Sequence, residues 1–290
     1  VMRVMKRVFS NFLTTILPGL WLVARVCIAV TGFATGNAAG RVLRYSIREG
    51  LSFGVVNSIV QDNDGLMWFA TGDGVSRFDG TAFRNFKYDR NDPRSLPGNY
   101  VKSILRDKNG TIWVSSRDGI GEFVQASQSF NRYKPFRNKS GAGNDVSDIS
   151  QGSGDLLWLS LNGSGFASFH TKTHQFIHYN QQTLPGLFTN SILTALEDSQ
   201  GMLWLGSRDS GIEVWKRDVS GRLVKASPDA GTLPSARINA IYEDHQRNVW
   251  IASSRGLILF KRAENRFYDL HVDTFHHSDI YLSIIEDRQQ

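Results

Sequence analysis

Cysteine is almost absent from this sequence, which contains only Cys27 in 290 residues. A chain with one thiol cannot be held together by internal disulfides. The common signatures of bound cofactors are also missing, since no G-x-G-x-x-G, P-loop, C-x-x-C or H-E-x-x-H pattern occurs. We therefore expect no cofactor, no metal site and no catalytic residue of a recognisable type.

A basic surface stripe is missing as well. The formal net charge is +6, but four of the basic residues lie in the opening segment, namely Arg3, Lys6, Arg7 and Arg25. Without these four, 29 basic residues stand against 27 acidic ones. Phosphate binding needs clustered basic residues, so we expect no nucleic-acid partner.

The opening segment has the order of a secretory signal. Basic residues precede an apolar run from Phe12 to Ala24, and small residues follow at 36–40. This order predicts export, with cleavage near Ala38 or Ala39. The charge of Arg25 interrupts the apolar stretch, and an uncleaved membrane anchor over residues 1–39 is the alternative.

Five tryptophans recur at intervals of 45, 45, 46 and 46 residues: Trp68, Trp113, Trp158, Trp204 and Trp250. Periods of this length are typical of propellers and solenoids. A turn precedes each tryptophan, and in three copies it opens with aspartate and closes with glycine three residues later, which is ordinary turn chemistry. We interpret these tryptophans as structural repeat residues.

Each period contains four short β-type segments and no helical periodicity, which predicts an all-β β-propeller of four-stranded blades. The predicted sensor domain covers 45–290, with blades at about 50–90, 95–135, 143–180, 186–226 and 233–270 and the start of a sixth at 279–290. Five blades would leave strand edges open, so we expect an incomplete ring from a longer protein.

The repeats resemble the two-component regulator propeller family, whose pattern is V..I..D..G.LWIGT..GL..F followed by F..Y. The match is closest from Asp198 to Gly211 and at the blade entry from Glu49 to Ser52. The resemblance implies an extracytoplasmic sensor, usually seven-bladed, followed by a membrane helix and a histidine-kinase or diguanylate-cyclase module. The third repeat departs from the pattern at 151–154 and 161–165, and we expect an irregular ring there.

Polar side chains recur in the turn between the second and third strands of each repeat. In propellers this turn lies on the same face as the connections between blades, where ligands commonly bind. The candidate ligand-binding residues are Asp73, Arg117, Asp118, Asn162, Arg208, Asp209 and Arg255. The alternative is that Asp and Asn beside Gly are simply good turn formers.

Three patterns that could suggest catalysis or metal binding have simpler explanations. The G-x-S-x-G sequence at Gly50–Gly54 is followed by a β-type segment, whereas a nucleophile elbow requires a helix there. Acidic pairs at 197–198, 243–244 and 286–287 recur at one phase of the repeat, as scaffold residues would. His170, His174 and His178 flank a turn, and we expect surface or edge histidines, with a metal or pH-sensing role as the alternative.

The sequence is therefore interpreted as a non-enzymatic, periplasmic sensor propeller of a membrane-bound bacterial signalling protein. Its expected partner is a small-molecule or oligosaccharide ligand, with a receptor homodimer as a further contact and the membrane reached through the leader or a downstream helix. The alternatives are an exported propeller lyase or glycosidase and a protein-interaction scaffold. The aspartates lie three residues before glycine, one more than in sialidase Asp-boxes, which argues against a glycosidase.

Overall fold

The computed structural model describes residues 43–136, 142–226, 236–270, 282–284 and 286. The predicted leader at 1–39 and most of the predicted sixth repeat lie outside these residues. Within them, regular structure consists of β-strands and three short 3-10 turns. No helix in this described part is long and apolar enough to cross a membrane.

The strands form five four-stranded antiparallel sheets, each with its strands in chain order. This arrangement confirms the predicted all-β fold built from propeller blades. Blade 1 contains β1(Val56–Gln61), β2(Met67–Thr71), β3(Gly74–Phe78) and β4(Phe83–Phe86); blade 2 contains β5(Val101–Arg106), β6(Ile112–Ser116), β7(Gly119–Val124) and β8(Ser129–Tyr133); blade 3 contains β9(Val146–Gln151), β10(Leu156–Leu161), β11(Gly165–His170) and β12(Gln175–Tyr179); blade 4 contains β13(Ile192–Glu197), β14(Met202–Ser207), β15(Ile212–Arg217) and β16(Leu223–Ala226); blade 5 contains β17(Ile238–Glu243), β18(Val249–Ser253), β19(Gly256–Lys261) and β20(Arg266–Leu270).

Successive blades contact each other through their first strands. Strand β1 contacts β5, β5 contacts β9, β9 contacts β13, and β13 contacts β17. The first strands therefore line the inside of the blade series. In every blade, the start of the first strand, the turn between the second and third strands and the end of the fourth strand lie at the same edge of the sheet. We call the surface formed by these edges the loop face.

The repeated tryptophans are buried between blades, on the second strand of each sheet. The rings of Trp68, Trp113 and Trp204 face an aromatic residue near the end of the third strand of the next blade. Trp68 lies 4.7 Å from Phe123 and Trp204 lies 5.2 Å from Phe260, measured between ring centroids. The tryptophan is thus the apolar contact that joins one blade to the next.

An aspartate in the preceding turn holds the indole N–H of the tryptophan. Asp107 Oδ2 accepts from Trp113 Nε1 at 2.9 Å, and Asp107 Oδ1 accepts from the backbone N–H groups of Asn109 and Thr111 at 2.9 and 2.8 Å. The equivalent bonds from Trp68, Trp204 and Trp250 are 2.7, 2.8 and 2.8 Å long. One carboxylate therefore closes the turn and satisfies a buried donor.

Blade 3 has Gly152 in place of this aspartate and obtains its acceptor from the next blade. Glu197 Oε2, at the end of β13, accepts from Trp158 Nε1 at 2.6 Å and from Ser153 N at 3.1 Å. The sheet keeps all four strands in antiparallel register. The departure expected in this repeat is therefore a change of hydrogen-bond partner, and the blade itself remains regular.

The residue before the aspartate connects each blade to the previous one. Glu243 Oε2 accepts from Ser199 N at 2.7 Å, and Glu286 Oε2 accepts from His245 N at 3.1 Å. Gln151 does the same for Lys108 N at 3.0 Å. In the acidic pairs at 197–198 and 243–244, the first residue accepts from a backbone N–H of the preceding blade and the second closes its own turn, so these two pairs are scaffold residues.

Asp107→Ala should destabilise the protein by about 3 kcal/mol, because a buried indole N–H and two turn N–H groups lose their acceptor. Asp64→Ala, which removes an exposed carboxylate from the corresponding turn of blade 1, should change stability by less than about 0.5 kcal/mol. Urea unfolding of both variants measures the difference. Equal midpoints would contradict the role given to Asp107.

Glu197→Ala and Gly152→Asp should each destabilise the protein, and the double variant should be more stable than their sum by at least about 1 kcal/mol. A Cβ on Gly152 would lie 2.9 Å from Trp158 Nε1 and 3.1 Å from Glu197 Oε2, so the new carboxylate is crowded while Glu197 is present. Without Glu197, the introduced aspartate can hold Trp158 as in the other blades. A double-mutant cycle of unfolding free energies tests this, and strict additivity would contradict it.

Candidate functional site

Hydroxyl groups at the ends of the second strands brace the turns of the loop face. Thr71, Ser116 and Ser253 donate to the backbone oxygens of the glycines that open the third strands, at 2.9, 3.1 and 2.8 Å. The hydroxyl oxygens themselves accept from the backbone N–H groups of Asp73, Asp118 and Arg255, each at 3.1 Å. Turn formation thus explains the backbone conformation at Asp73, Asp118 and Arg255. It does not explain the positions of their side chains.

Most of the candidate side chains make contacts close to their own turn. Asp73 forms an exposed ion pair with Lys87 at 2.6 Å, and Asp209 accepts from Ser210 Oγ at 3.1 Å. The guanidinium of Arg117 lies 4.5 Å from the centroid of the Tyr100 ring. Asp118 lies against the preceding connection, where a Cβ on Gly98 would approach its Oδ2 to 2.8 Å.

The structure brings Asn162 and Arg208 together across neighbouring blades. Arg208 Nη2 donates to Asn162 Oδ1 at 3.0 Å, and Asn162 Nδ2 donates to Asp145 Oδ2 at 2.9 Å. Asp145 also pairs with Lys102, and both of these side chains are largely buried. Lys102, Asp145, Asn162 and Arg208 form a polar chain across blades 2, 3 and 4, of which the sequence pattern identified only the last two.

Three aromatic side chains on the loop face were not predicted from the sequence. Phe53, Tyr100 and Phe188 are 41%, 39% and 62% exposed, and each lies on a segment leading into a first strand. Lys225 Nζ lies 3.2 Å from the centroid of the Phe188 ring. Each aromatic follows a glycine by two or three residues, which is a sequence signal that could have located them.

These groups together give the loop face a defined binding chemistry. Exposed rings offer flat apolar surfaces, and the arginine and aspartate side chains offer charge-assisted hydrogen bonds. Such a surface suits a ligand that has both apolar faces and many polar groups. In the described residues, no group of three or more His, Cys, Asp or Glu side chains could hold a metal ion.

One partly buried carboxylate lies on the inner side of the blade series. Asp148, on β9, accepts from Thr194 Oγ1 of blade 4 at 2.8 Å and from Ile149 N at 2.9 Å. Burial raises the pKa of Asp148, and hydrogen bonds from Thr194 and Ser103 oppose that change. Asp148 therefore links blades 2, 3 and 4, and ionisation of its carboxyl group lowers the stability of the folded state.

A separate cavity of about 500 Å³ lies at the junction of blades 1 and 2, at the edge opposite the loop face. Asp62, Asp64, Trp68, Glu122 and Gln125 are among the residues that line it. The carboxylate of Asp62 is already engaged by the indole of Trp68, and Glu122 accepts from Tyr133 Oη at 2.8 Å. Both carboxylates are therefore already engaged by neighbouring side chains.

The other chemical patterns in the sequence have structural roles. A 3-10 turn precedes Gly50 and strand β1 follows Gly54, and the Ser52 hydroxyl lies 2.9 Å from Thr71 Oγ1. His170 Nδ1 accepts from backbone N–H groups of its own turn, while the His174 ring contacts Tyr133 and the His178 ring stacks on Phe136. The three histidines therefore serve different contacts.

The sheets, their inter-blade contacts and the loop face define a β-propeller domain. Residues 50–73, 95–118, 186–209 and 232–255 match the two-component regulator propeller model. The chain thus carries two-component regulator propeller repeats, as its motifs predicted. The matched segments fall in blades 1, 2, 4 and 5, the described blades in which aspartate holds the tryptophan.

Solved structures place the chain beside the extracellular parts of signalling proteins. The extracellular domain of BT3049, a proposed hybrid two-component system of B. thetaiotaomicron, is 29% identical over 82% of this chain, with a TM-score of 0.69. The extracellular domain of BT4673 from the same organism is 19% identical over 76% of the chain, with a TM-score of 0.62. This chain covers 32% and 31% of those two structures, about a third of each.

The fold alone is shared with an enzyme. A streptogramin B lyase structure is 18% identical over 75% of this chain and 68% of its own, with a TM-score of 0.57. No curated protein matches the sequence. Similarity at this level establishes the propeller architecture and carries no conclusion about activity.

Asp148→Asn should become more stable than the unsubstituted protein as the pH rises. The folded-state pKa of Asp148 is raised, so the folded protein binds this proton more tightly than the unfolded chain, and its stability falls as the pH rises above the ordinary aspartate pKa. Asparagine does not ionise, and its oxygen can still accept from Thr194. The difference in unfolding free energy between Asp148→Asn and the unsubstituted protein should increase with pH, by up to about 1.4 kcal/mol for each unit by which folding raises the pKa. Above the folded-state pKa the difference should remain constant.

Urea unfolding between about pH 4 and 8 measures this difference. Asp209→Asn, which alters an exposed carboxylate, is the control and should follow the unsubstituted protein. A pH-independent difference for Asp148→Asn would contradict the raised pKa of its partly buried carboxylate.

Proposed function

We propose that this domain is the extracytoplasmic ligand-binding part of a membrane-bound bacterial signal-transduction protein. The observation that carries the proposal is the 29% identity, over 82% of the chain, to the extracellular domain of a proposed hybrid two-component system. The two-component regulator propeller repeats agree with it. The predicted leader would direct the domain to the periplasm and to the inner membrane.

The loop face is the proposed ligand site. Its ligand would be a small molecule or oligosaccharide with polar groups for Arg117, Arg208 and Arg255 and a flat face for the exposed rings. Arg117 is already positioned by Tyr100, and Arg208 by Asn162, so both guanidinium groups are partly ordered before binding. Ordered groups lose less conformational entropy when a ligand binds.

Signal transfer would follow from differential affinity. A ligand that binds one arrangement of the receptor more tightly than another shifts the population towards the first by the difference in binding free energy. The polar chain from Lys102 to Arg208 crosses three blades, so a ligand bound to Arg208 contacts a group connected to blades 2 and 3. The kinase or cyclase output would belong to the full-length protein.

A thermal-shift screen with neutral and acidic oligosaccharides should identify a ligand that raises the melting temperature, because a ligand bound only by the folded state stabilises it. The shift should be lost in Arg117→Ala and Arg208→Ala. Arg222→Ala, in the turn at the opposite edge of blade 4, should keep it. Chromatography of the incubated ligand shows whether it is chemically changed.

Two outcomes would contradict the proposal. A ligand whose effect persists in both loop-face variants would bind elsewhere. Release of cleaved or eliminated products would favour the alternative of an exported carbohydrate-active enzyme.

A further inference from the structure

The turns between the second and third strands carry two rows of residues on the loop face. The first residue of a turn lies beside the segment that enters the first strand of its own blade, because its backbone N–H donates to a carbonyl oxygen there. This bond is 2.9 Å long in three blades, from Asn162 N to Asp145 O, from Arg208 N to Ser191 O and from Ser254 N to Arg237 O. We call these first residues the inner row: Gly72, Arg117, Asn162, Arg208 and Ser254.

The second residues of the same turns form an outer row that is mostly acidic. In blade 1 the carboxylate of Asp73 contacts Lys87, the residue that follows the fourth strand, at 2.6 Å. This contact directs the Asp73 side chain away from the first strands. The outer row consists of Asp73, Asp118, Gly163, Asp209 and Arg255. Three of its five members are acidic, whereas both charged members of the inner row are arginines.

Arg237 places a third arginine beside the inner row, and the sequence pattern did not identify it. It is the last residue before β17, and its Nε donates to Asn239 Oδ1 at 3.1 Å. A Cβ on Gly206 would lie 2.6 Å from Ile238 Cγ2. Gly206 precedes Arg208 by two residues and Ile238 follows Arg237, so both arginines lie at the junction of blades 4 and 5.

We call Arg117, Arg208 and Arg237 the inner arginines, and all three are exposed residues. Their side-chain contacts are with neutral groups, namely the Tyr100 ring, Asn162 Oδ1 and Asn239 Oδ1. In the part of the chain that the structure describes, none of the inner arginines forms an ion pair. Their positive charge is therefore available to a ligand.

The carboxylate of Asp145, which lies beside the inner row, is already neutralised. It pairs with Lys102 and accepts from Asn162 Nδ2 at 2.9 Å. The side chains of Lys102 and Asp145 are 19% and 13% exposed, so salt screens this pair only weakly. The charge that remains at the inner row is that of the three arginines, and a local excess of one sign attracts ligands of the other sign.

We propose that the loop face binds a saccharide that carries carboxylate or sulfate groups, and that the inner arginines bind these groups. This inference rests on the proposed function and adds the charge of the ligand to it. Arg208 uses Nη2 for Asn162 and Arg237 uses Nε for Asn239, so each guanidinium keeps N–H donors for a bidentate bond to an oxyanion. The acidic outer row disfavours an anion further from the first strands, which confines the acidic groups to the inner row.

Calorimetric titration of the 290-residue chain with three forms of one hexasaccharide tests the charge of the ligand. Chitohexaose with sulfated amino groups is anionic, the N-acetylated form is neutral, and the free amine is cationic below neutral pH. At low ionic strength the sulfated form should bind at least about ten-fold more tightly than the other two, because charge-assisted hydrogen bonds are stronger than neutral ones. Added salt should reduce this difference. Hexagalacturonate and its methyl ester, compared in the same way, show whether a carboxylate serves as well as a sulfate.

Substitutions then locate the bound anion. Arg208→Gln and Arg237→Gln should each weaken binding of the sulfated form by about ten-fold. Arg222→Gln removes the same charge from the turn at the opposite edge of blade 4 and should leave the affinity unchanged. The Nε signals of Arg208 and Arg237 in 15N-labelled protein should shift when the sulfated form is added, and this measurement needs no variant.

Three outcomes would overturn the inference: no binding of either anionic hexasaccharide, full affinity in both Arg208→Gln and Arg237→Gln, or an equal loss of affinity in Arg222→Gln. Binding of the neutral form that equals that of the sulfated form, and that Arg117→Ala and Arg208→Ala abolish, would overturn the acidic ligand while the loop face remained the ligand site. Binding that neither of these two alanine variants affects would contradict the proposed function itself.

Discussion

The hydrogen bond of a buried indole N–H is the constraint on which this structure depends. A tryptophan on each second strand supplies the apolar contact between blades, but burying its N–H without an acceptor would cost about 1–3 kcal/mol at each site. The preceding turn solves this problem because its aspartate has two oxygens, one for the indole and one for the backbone of the turn. Turn closure and blade contact are therefore properties of one side chain.

The same need explains the departures from the repeat. In blade 3, Gly152 stands where the other blades have the aspartate. Glu197 of the next blade provides the carboxylate instead and accepts from Trp158 Nε1 at 2.6 Å. The sequence period predicted the blades and the tryptophans, because those depend on local spacing. It did not predict this exchange, because the acceptor comes from a position 39 residues away in another blade.

The candidate site was predictable only in part for a related reason. The position of the turns in the repeat predicted that seven polar residues lie on one face, because alternate turns of an antiparallel sheet lie at the same edge. Which of them meet depends on the register between blades, and this register joins Asn162 to Arg208 by a hydrogen bond. Lys102 and Asp145 were not predicted because a lone charge at the start of a strand gives no sequence signal. Phe53, Tyr100 and Phe188 were not predicted because they lie outside the turns between second and third strands, where the polar residues recur.

The proposed ligand site lies where the repeat allows side chains to vary. The edge opposite the loop face is occupied by the aspartate, the tryptophan and the residue that binds the preceding blade, so substitutions there alter the fold. The loop face is braced through backbone N–H groups and hydroxyls, and its outward side chains can vary without loss of the turn. This division would allow a regular propeller to carry the proposed ligand site.

The hydrogen exchange of the tryptophan indole N–H groups is the most direct test of the central claim. In a spectrum of 15N-labelled protein, the indole signals of Trp68, Trp113, Trp158, Trp204, Trp215 and Trp250 should all exchange slowly, because each N–H is bound to a carboxylate in the structure. In Glu197→Ala the Trp158 signal alone should lose its protection. Rapid exchange of these signals in the unsubstituted protein, or an unchanged Trp158 signal in Glu197→Ala, would contradict the account.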